Sequence, residues 1–299
     1  MPEITSRTIK ANGLTFAIDE AGEGPDIALC LHGFPESRFS WRHQLPMLAD
    51  AGWHAVAPDL RGYGGSSRPP NQPDYHIDHL VADTAALFDA LGSQFDVHGT
   101  GRRLLIAHDW GALVAWVFAQ RQVRPLSGLV IMNVPHPRVF RDVLRTNWAQ
   151  RRKSWYVAFF QIPKLPEWLL GAAGARAIGR AFTDSAVNKA AFPPAVVDHY
   201  RVNASQPGAL TAMINYYRAN FPNVLEEPVV VIDTPTLLVW GEQDVAIDIS
   251  NTEGYGPLVR DFTLALLPDA SHWVQQDAPE KVNAAMRAWI DRNWPSPMV

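Results

Sequence analysis

The chain has 299 residues, a length that fits two domains or one large α/β domain carrying an insertion. A hydrophobic fraction of 47% with a charged fraction of 19% excludes wholesale disorder, and a net charge of −4 gives no overall basic field to draw the chain onto nucleic acid or an anionic membrane. One cysteine, Cys30, excludes an intrachain disulfide framework and a multi-cysteine zinc site; with no apolar signal region at the N-terminus and no run near the roughly 18 apolar residues of a membrane span, a cytoplasmic protein is expected.

Strands are predicted at residues 7–11, 14–19, 27–31, 54–58, 104–107, 129–133, 236–240 and 263–267. The middle four are near-continuous apolar runs, the pattern of parallel strands buried on both faces. Helical patterns lie between them, notably at 77–91 and 111–121. Alternating strands and helices predict a mostly parallel sheet with helices on both faces. The alternation stops after Asn133. Residues 134–229 are rich in Trp, Phe, Arg and Pro, with no convincing buried strand; short helices punctuated by Pro163, Pro166, Pro193, Pro194, Pro222 and Pro228 fit better. Strand–helix alternation resumes at Thr234. The chain therefore reads as core (1–133), helical cap (134–229) and core again (230–299).

Three predicted strand ends carry the chemistry, as open α/β sheets require. Ile106-Ala107-His108-Asp109-Trp110-Gly111-Ala112 marks a strand running into a helix. Small residues flank the turn and hold Asp109 up, in the position a serine takes in a hydrolase nucleophile elbow. A carboxylate is already ionised at neutral pH and needs no base before attacking carbon. The turn alone leaves a second reading open, in which Asp109 merely caps the helix. Asp244 follows the strand at 236–240, and His272 follows the last strand. Nucleophile, acid and histidine thus come in the required order. Glu242 and Asp248 are rival acids, and Asp244 is preferred for its position. In His32-Gly33-Phe34-Pro35-Glu36, Gly33 allows close backbone approach. The N–H groups of Phe34 and Trp110 can form an oxyanion hole, unless this is an ordinary Gly-Pro turn.

These residues resemble the α/β-hydrolase fold, here an eight-stranded, mostly parallel sheet with an inserted helical cap, and more narrowly its epoxide hydrolases. The matching pieces are HGFPE at 32–36, DLRGYGGS at 59–66, AHDWGA at 107–112, NVPHP at 133–137, WGEQD at 240–244 and ASHW at 270–273. Asp followed by Trp-Gly at the nucleophile narrows the field to epoxide hydrolases and haloalkane dehalogenases. By the same resemblance Tyr156, before Phe160-Gln161-Ile162-Pro163, and Tyr217, in Asn215-Tyr216-Tyr217-Arg218, correspond to two cap tyrosines that serve the epoxide oxygen; Tyr216, Tyr200 and Tyr63 do not. The chain departs at Ala107, where Gly is frequent, and at Ile131, where Ser is frequent. The resemblance implies hydrolysis of a lipophilic epoxide to a vicinal diol through an ester on Asp109, with no metal or cofactor. His32, Pro35, Trp155, Phe160 and Trp273 are the expected pocket lining. The expected partners are an epoxide and water, neither nucleic acid nor membrane, with a homodimer left open.

A haloalkane dehalogenase uses the same Asp, His and acid, with indoles such as Trp110 and Trp155 around the halide; Phe34 and the tyrosine pair argue against it. Trp110, where a fluoroacetate dehalogenase carries Arg, and the absence of an elbow serine disfavour two further hydrolases. A catalytically inactive binding module is disfavoured by the complete residue set. His76 and His79 are read as surface residues, His108 as a support for the turn, 151–153 as a solvated basic face, and Cys30 as buried and inert.

Overall fold

The computed structural model describes residues 2–96 and 98–295. Eight strands form one sheet: β1 (Thr5–Ala11), β2 (Leu14–Ala21), β3 (Ile27–Leu31), β4 (His54–Pro58), β5 (Arg103–His108), β6 (Gly128–Met132), β7 (Thr236–Gly241) and β8 (Phe262–Leu267). Their order is β1-β2-β4-β3-β5-β6-β7-β8. β1–β2 and β2–β4 pair antiparallel, and every pair from β4 to β8 is parallel.

The continuous apolar runs are explained by what lies on the two sheet faces. Leu29, Leu31, Leu105 and Ala107 enter one core cluster, with Phe88 and Trp116 from helices α2 (Ile77–Phe95) and α3 (Asp109–Gln120). Their neighbours Ala28, Cys30, Leu104 and Ile106 point the other way, into a second cluster with Leu48 of α1 (Gln44–Asp50) and Met286 of α11 (Pro279–Asn293). A strand buried on both faces has no polar positions to alternate with. Cys30 lies wholly inside the second cluster, and burial pushes its thiol pKa up, which keeps it protonated.

Between β6 and β7 the chain forms α4 (Pro137–Thr146), α5 (Trp148–Lys153), α6 (Trp155–Phe160), α7 (Leu165–Ser185), α8 (Pro194–Ala204) and α9 (Ala209–Asn220), with no sheet strand among the described residues. α7 breaks in the middle: Ala173, Gly174 and Ala175 all adopt left-handed φ, so it is two helices in sequence. The short α10 (Val274–Asp277) follows the last strand.

Of the predicted boundaries that shift, two bear on the site. The strand predicted to reach residue 133 stops at Met132, because Asn133 turns to φ +51°. The helix predicted from 111 starts at Asp109. Its N-cap is His108, in extended conformation, so Asp109 is not the cap.

Candidate active site

The parallel register brings the site together. Leu31 of β3 lies opposite Ala107 of β5, so the loops beyond them run side by side. Asp109 then takes φ +48°, a conformation that costs a non-glycine residue about 1–3 kcal/mol and is tolerated where the surroundings fix it. Two glycines make the close packing feasible. A Cβ on Gly33 would collide with the Asp109 side chain, and one on Gly111 would collide with the Leu31 and His32 carbonyls. With Gly33 in place, the Phe34 N–H donates to Asp109 Oδ1 at 2.6 Å. The next N–H, that of Trp110, lies in the first turn of α3, where backbone donors have no intrahelical acceptor.

His272 stands between two carboxylates. Its Nδ1 is 2.7 Å from Asp244 Oδ2, and its Nε2 is 3.6 Å from Asp109 Oδ2. The rival acids are elsewhere: Glu242 is exposed, and Asp248 faces Lys153 and caps the turn at Ser250. Asp244 is saturated as an acceptor. Besides His272, it receives the Asn133 side-chain amide at 2.8 Å and the Ala246 and Ile247 N–H groups at 2.7 and 2.8 Å. Burial penalises the Asp244 charge, but His272 and these donors outweigh the penalty and hold its pKa below the usual carboxylate value. Asp109 behaves alike: burial raises it, while the His272 and His108 rings and the Phe34 N–H lower it further. For His272 burial opposes the imidazolium, yet the two carboxylates raise its pKa from 6.5 to about 10.

This shift has a consequence for stability. The folded pKa exceeds the unfolded one, so the ion-pair contribution is complete below about pH 6.5 and is lost as the pH rises to about 10. The melting temperature of the wild type should therefore fall more steeply across that window than that of His272→Gln. Parallel pH profiles for the two proteins would contradict the charged triad.

Four supporting residues act on the site through other groups, and of these the sequence reading assigns a supporting role only to His108. Asn133 accepts from the Gly241 N–H at 2.9 Å while its amide reaches Asp244, tying β6 to the acid loop. Glu36, fully buried, receives His108 Nδ1 at 2.8 Å and the side-chain amides of Gln275 and Gln276 at 2.8 and 2.7 Å. His108 Nε2 in turn meets the His272 carbonyl at 2.8 Å. Turn support by His108 thus extends to the backbone of His272. Lys153, predicted as part of a solvated face, instead donates from Nζ to the Asp244 carbonyl at 2.9 Å. His76 caps α2, and His79 is exposed.

Two cavities open on Asp109. The larger, about 590 Å³, is lined by Phe34, Pro35, Trp155, Phe160, His272 and Trp273, among others. The smaller, about 50 Å³, is lined by Trp110, Leu113, Phe140 and Leu225 among others. Asp109, Tyr156 and Tyr217 border both. The tyrosine rings meet edge to face at 5.9 Å. Neither hydroxyl donates to a protein acceptor among the described residues. Tyr75, Tyr200, Tyr216 and Tyr255, by contrast, bond to Pro69, Gln276, Arg61 and Asn251 and are structural. Tyr63 lines neither cavity. Burial and the charge of Asp109 push both cavity phenols up, so both stay protonated. His32 is the one predicted lining residue that does not reach the space. It is fully buried, with Nδ1 against the Gly33 carbonyl and Nε2 accepting the Leu60 N–H at 3.0 Å, so it braces the loop from behind.

A family model described as the alpha/beta hydrolase fold matches residues 29–279. The chain belongs to the α/β-hydrolase family. Within it, the chain stands among the epoxide hydrolases. It is 37% identical to epoxide hydrolase 4 of Mus musculus over 94% of this chain and 78% of that one. It is 36% identical to epoxide hydrolase 3 of Xenopus tropicalis, over 96% of this chain and 77% of the relative. In structure it is similar to a Bacillus megaterium epoxide hydrolase solved with an inhibitor, with a TM-score of 0.86 and 30% identity over 95% of this chain and 100% of that one. For an α/β-hydrolase, the elbow on β5 and the acid and histidine loops after β7 and β8 stand where the sheet's carboxyl edge gathers reactive groups.

Proposed function

We propose that the protein hydrolyses a lipophilic epoxide to a vicinal diol through a covalent hydroxyalkyl ester on Asp109. The observation that carries this reading is the pairing of two hydroxyls without a protein acceptor, Tyr156 and Tyr217, with a carboxylate held against His272 in one cavity system.

Asp109 Oδ2 attacks an epoxide carbon, and the carbon–oxygen bond of the ring breaks. The departing oxygen would be an alkoxide, too basic to form unaided. A neutral phenol beside it supplies the proton, which is general acid catalysis. Ester formation consumes the Asp109 charge, one of the two anions that keep His272 protonated. The His272 proton then returns to the phenolate, and His272 becomes a neutral base. It takes a proton from water as the hydroxide attacks Asp109 Cγ. The resulting oxyanion is met by the Phe34 and Trp110 N–H groups. Collapse breaks the Cγ–O bond to the substrate. The protonated Asp109 carboxyl gives its proton to the leaving alkoxide, and the diol departs with Asp109 ionised and His272 charged, as at the start. Asp244 keeps the imidazole oriented throughout. Every proton is accounted for by groups of this chain, substrate and water.

The large apolar cavity supports a lipophilic substrate. A halide leaves without a proton and needs paired indoles instead. Trp110 and Trp155 border different cavities, which counts against the dehalogenase alternative. Among the described residues no helix is long and apolar enough to cross a membrane. A cytoplasmic setting belongs to the same reading, supported by a sequence with one cysteine, and conversion of a reactive epoxide to a diol is detoxifying chemistry.

The test is Tyr156→Phe combined with Tyr217→Phe, assayed for diol from styrene oxide and for halide from a 1-haloalkane. Diol formation should fall by about 10²–10⁴-fold, the usual worth of general acid catalysis, with the melting temperature little changed. Halide release by the wild type, unaffected by losing both phenols, would hand the site to dehalogenation.

A further inference from the structure

The net charge of −4 conceals a segregation. Residues 134–229 hold 12 Lys and Arg against 6 Asp and Glu, so the remaining chain holds 14 against 24. The excess concentrates in residues 141–180, with 8 basic residues and 2 acidic ones. Arg145, Arg152, Lys164, Arg176 and Arg180 are all exposed there, and none has a carboxylate partner among the described residues.

The same stretch exposes the chain's most accessible tryptophans. Trp148, Trp155 and Trp168 are 66%, 65% and 70% exposed. Leu165, Trp168 and Leu169 fall at i, i+3 and i+4 on α7 and form one helical stripe facing solvent. The stripe is firmly held. Arg218 donates to the Phe160 and Ile162 carbonyls at 2.9 and 2.8 Å and pairs with Glu167, which pins the α6–α7 connection to α9. Two residues of this stretch reach the way into the site: Trp155 and Arg180 line the 590 Å³ cavity, with Lys153 and Asp184 beside them.

We propose that this face of the cap docks on an anionic phospholipid surface, with the tryptophans at the level of the headgroups and the unpaired arginines and lysine among the phosphates. Indole rings favour the membrane–water boundary, and basic side chains add attraction to anionic lipid. The expectation of no membrane partner rests on the absence of an apolar span, which does not bear on peripheral docking, and on whole-chain charge, which averages the basic cap with an acidic core. A second copy of the chain fits this face poorly. A two-fold interface would set the same basic patch against itself. Docking here would turn the mouth of the larger cavity toward the phase in which a lipophilic epoxide dissolves. That last consequence rests on the epoxide reading; the docking itself does not.

The experiment is flotation of the full chain with vesicles of phosphatidylcholine alone or with about a third phosphatidylglycerol, at low salt. The wild type should float with the anionic vesicles at least about tenfold more than with the neutral ones, and added salt should reduce this. Two independent variants, Arg152→Glu with Lys164→Glu and Trp148→Ser with Trp168→Ser, should each return flotation to the neutral level with unchanged melting temperature. Equal flotation with both vesicle types, no flotation at all, or flotation surviving both variants would overturn the proposal. So would a dimer that the tryptophan variant dissociates in the absence of vesicle binding. Flotation is read without any turnover, so its failure leaves the epoxide reading standing, and loss of epoxide turnover leaves the docking standing.

Discussion

Asp109→Ala should lower epoxide turnover by about a millionfold, the scale on which hydrolases lose activity when the nucleophile is removed. No other group within the site can take over. Asp244 has its two oxygens committed to four donors, and Glu36 is sealed behind His108. The fold should survive, because the sheet and both core clusters do not include Asp109. Alanine at φ +48° keeps the backbone strain and loses the hydrogen bond to Phe34, so a modest drop in melting temperature is expected. Diol assay against circular dichroism separates the two effects. A folded Asp109→Ala variant with turnover within tenfold of the wild type would remove Asp109 from the chemistry.

His272→Gln should divide the reaction in two. Glutamine keeps a polar group near Asp244 but cannot serve as the base. Ring opening depends on Asp109 and the tyrosines, so the ester should still form, while its hydrolysis should slow by about 10⁴-fold or more. Intact-mass spectrometry after mixing with epoxide should show a species heavier by the mass of the substrate, persisting over hours. Peptide mapping should place the added mass on Asp109. Normal turnover with no adduct would mean that His272 is not the base of a second step.

Much of this architecture was legible because the burial of the central strands is so one-sided. A run such as Ile27-Ala28-Leu29-Cys30-Leu31 faces apolar layers above and below, so its composition alone marks a central parallel strand. The cap was legible only as an absence of that pattern. Its helices are short and separated by prolines, and the break in α7 falls in Gly171-Ala172-Ala173-Gly174-Ala175, which composition does not distinguish from continuous helix. Among the candidate site residues, those with chemistry of their own could be placed: Asp109, Asp244 and His272 each follow a strand. Residues acting through others could not, His108 apart. Asn133 looks like a strand end until its left-handed φ aims its amide at Asp244. Glu36 belongs to a recognisable loop, yet its pairing with His108 across 72 positions depends on the register of β3 against β5. The run at 151–153 reads as solvated because basic runs normally are, and only the packing of α5 brings the Lys153 ammonium to the Asp244 carbonyl. His32 reads as cavity lining because its neighbours Phe34 and Pro35 do line the cavity, but its own ring turns inward.

The central claim is that a covalent ester forms on Asp109 and that water attacks its carbonyl rather than the epoxide carbon. A single turnover in water enriched in oxygen-18, with enzyme in excess over styrene oxide, tests it most directly. The account predicts that the heavy oxygen appears in the peptide containing Asp109 and that the first diol released carries none. Heavy oxygen in that first diol, with Asp109 unlabelled, would show direct attack by water and contradict the account.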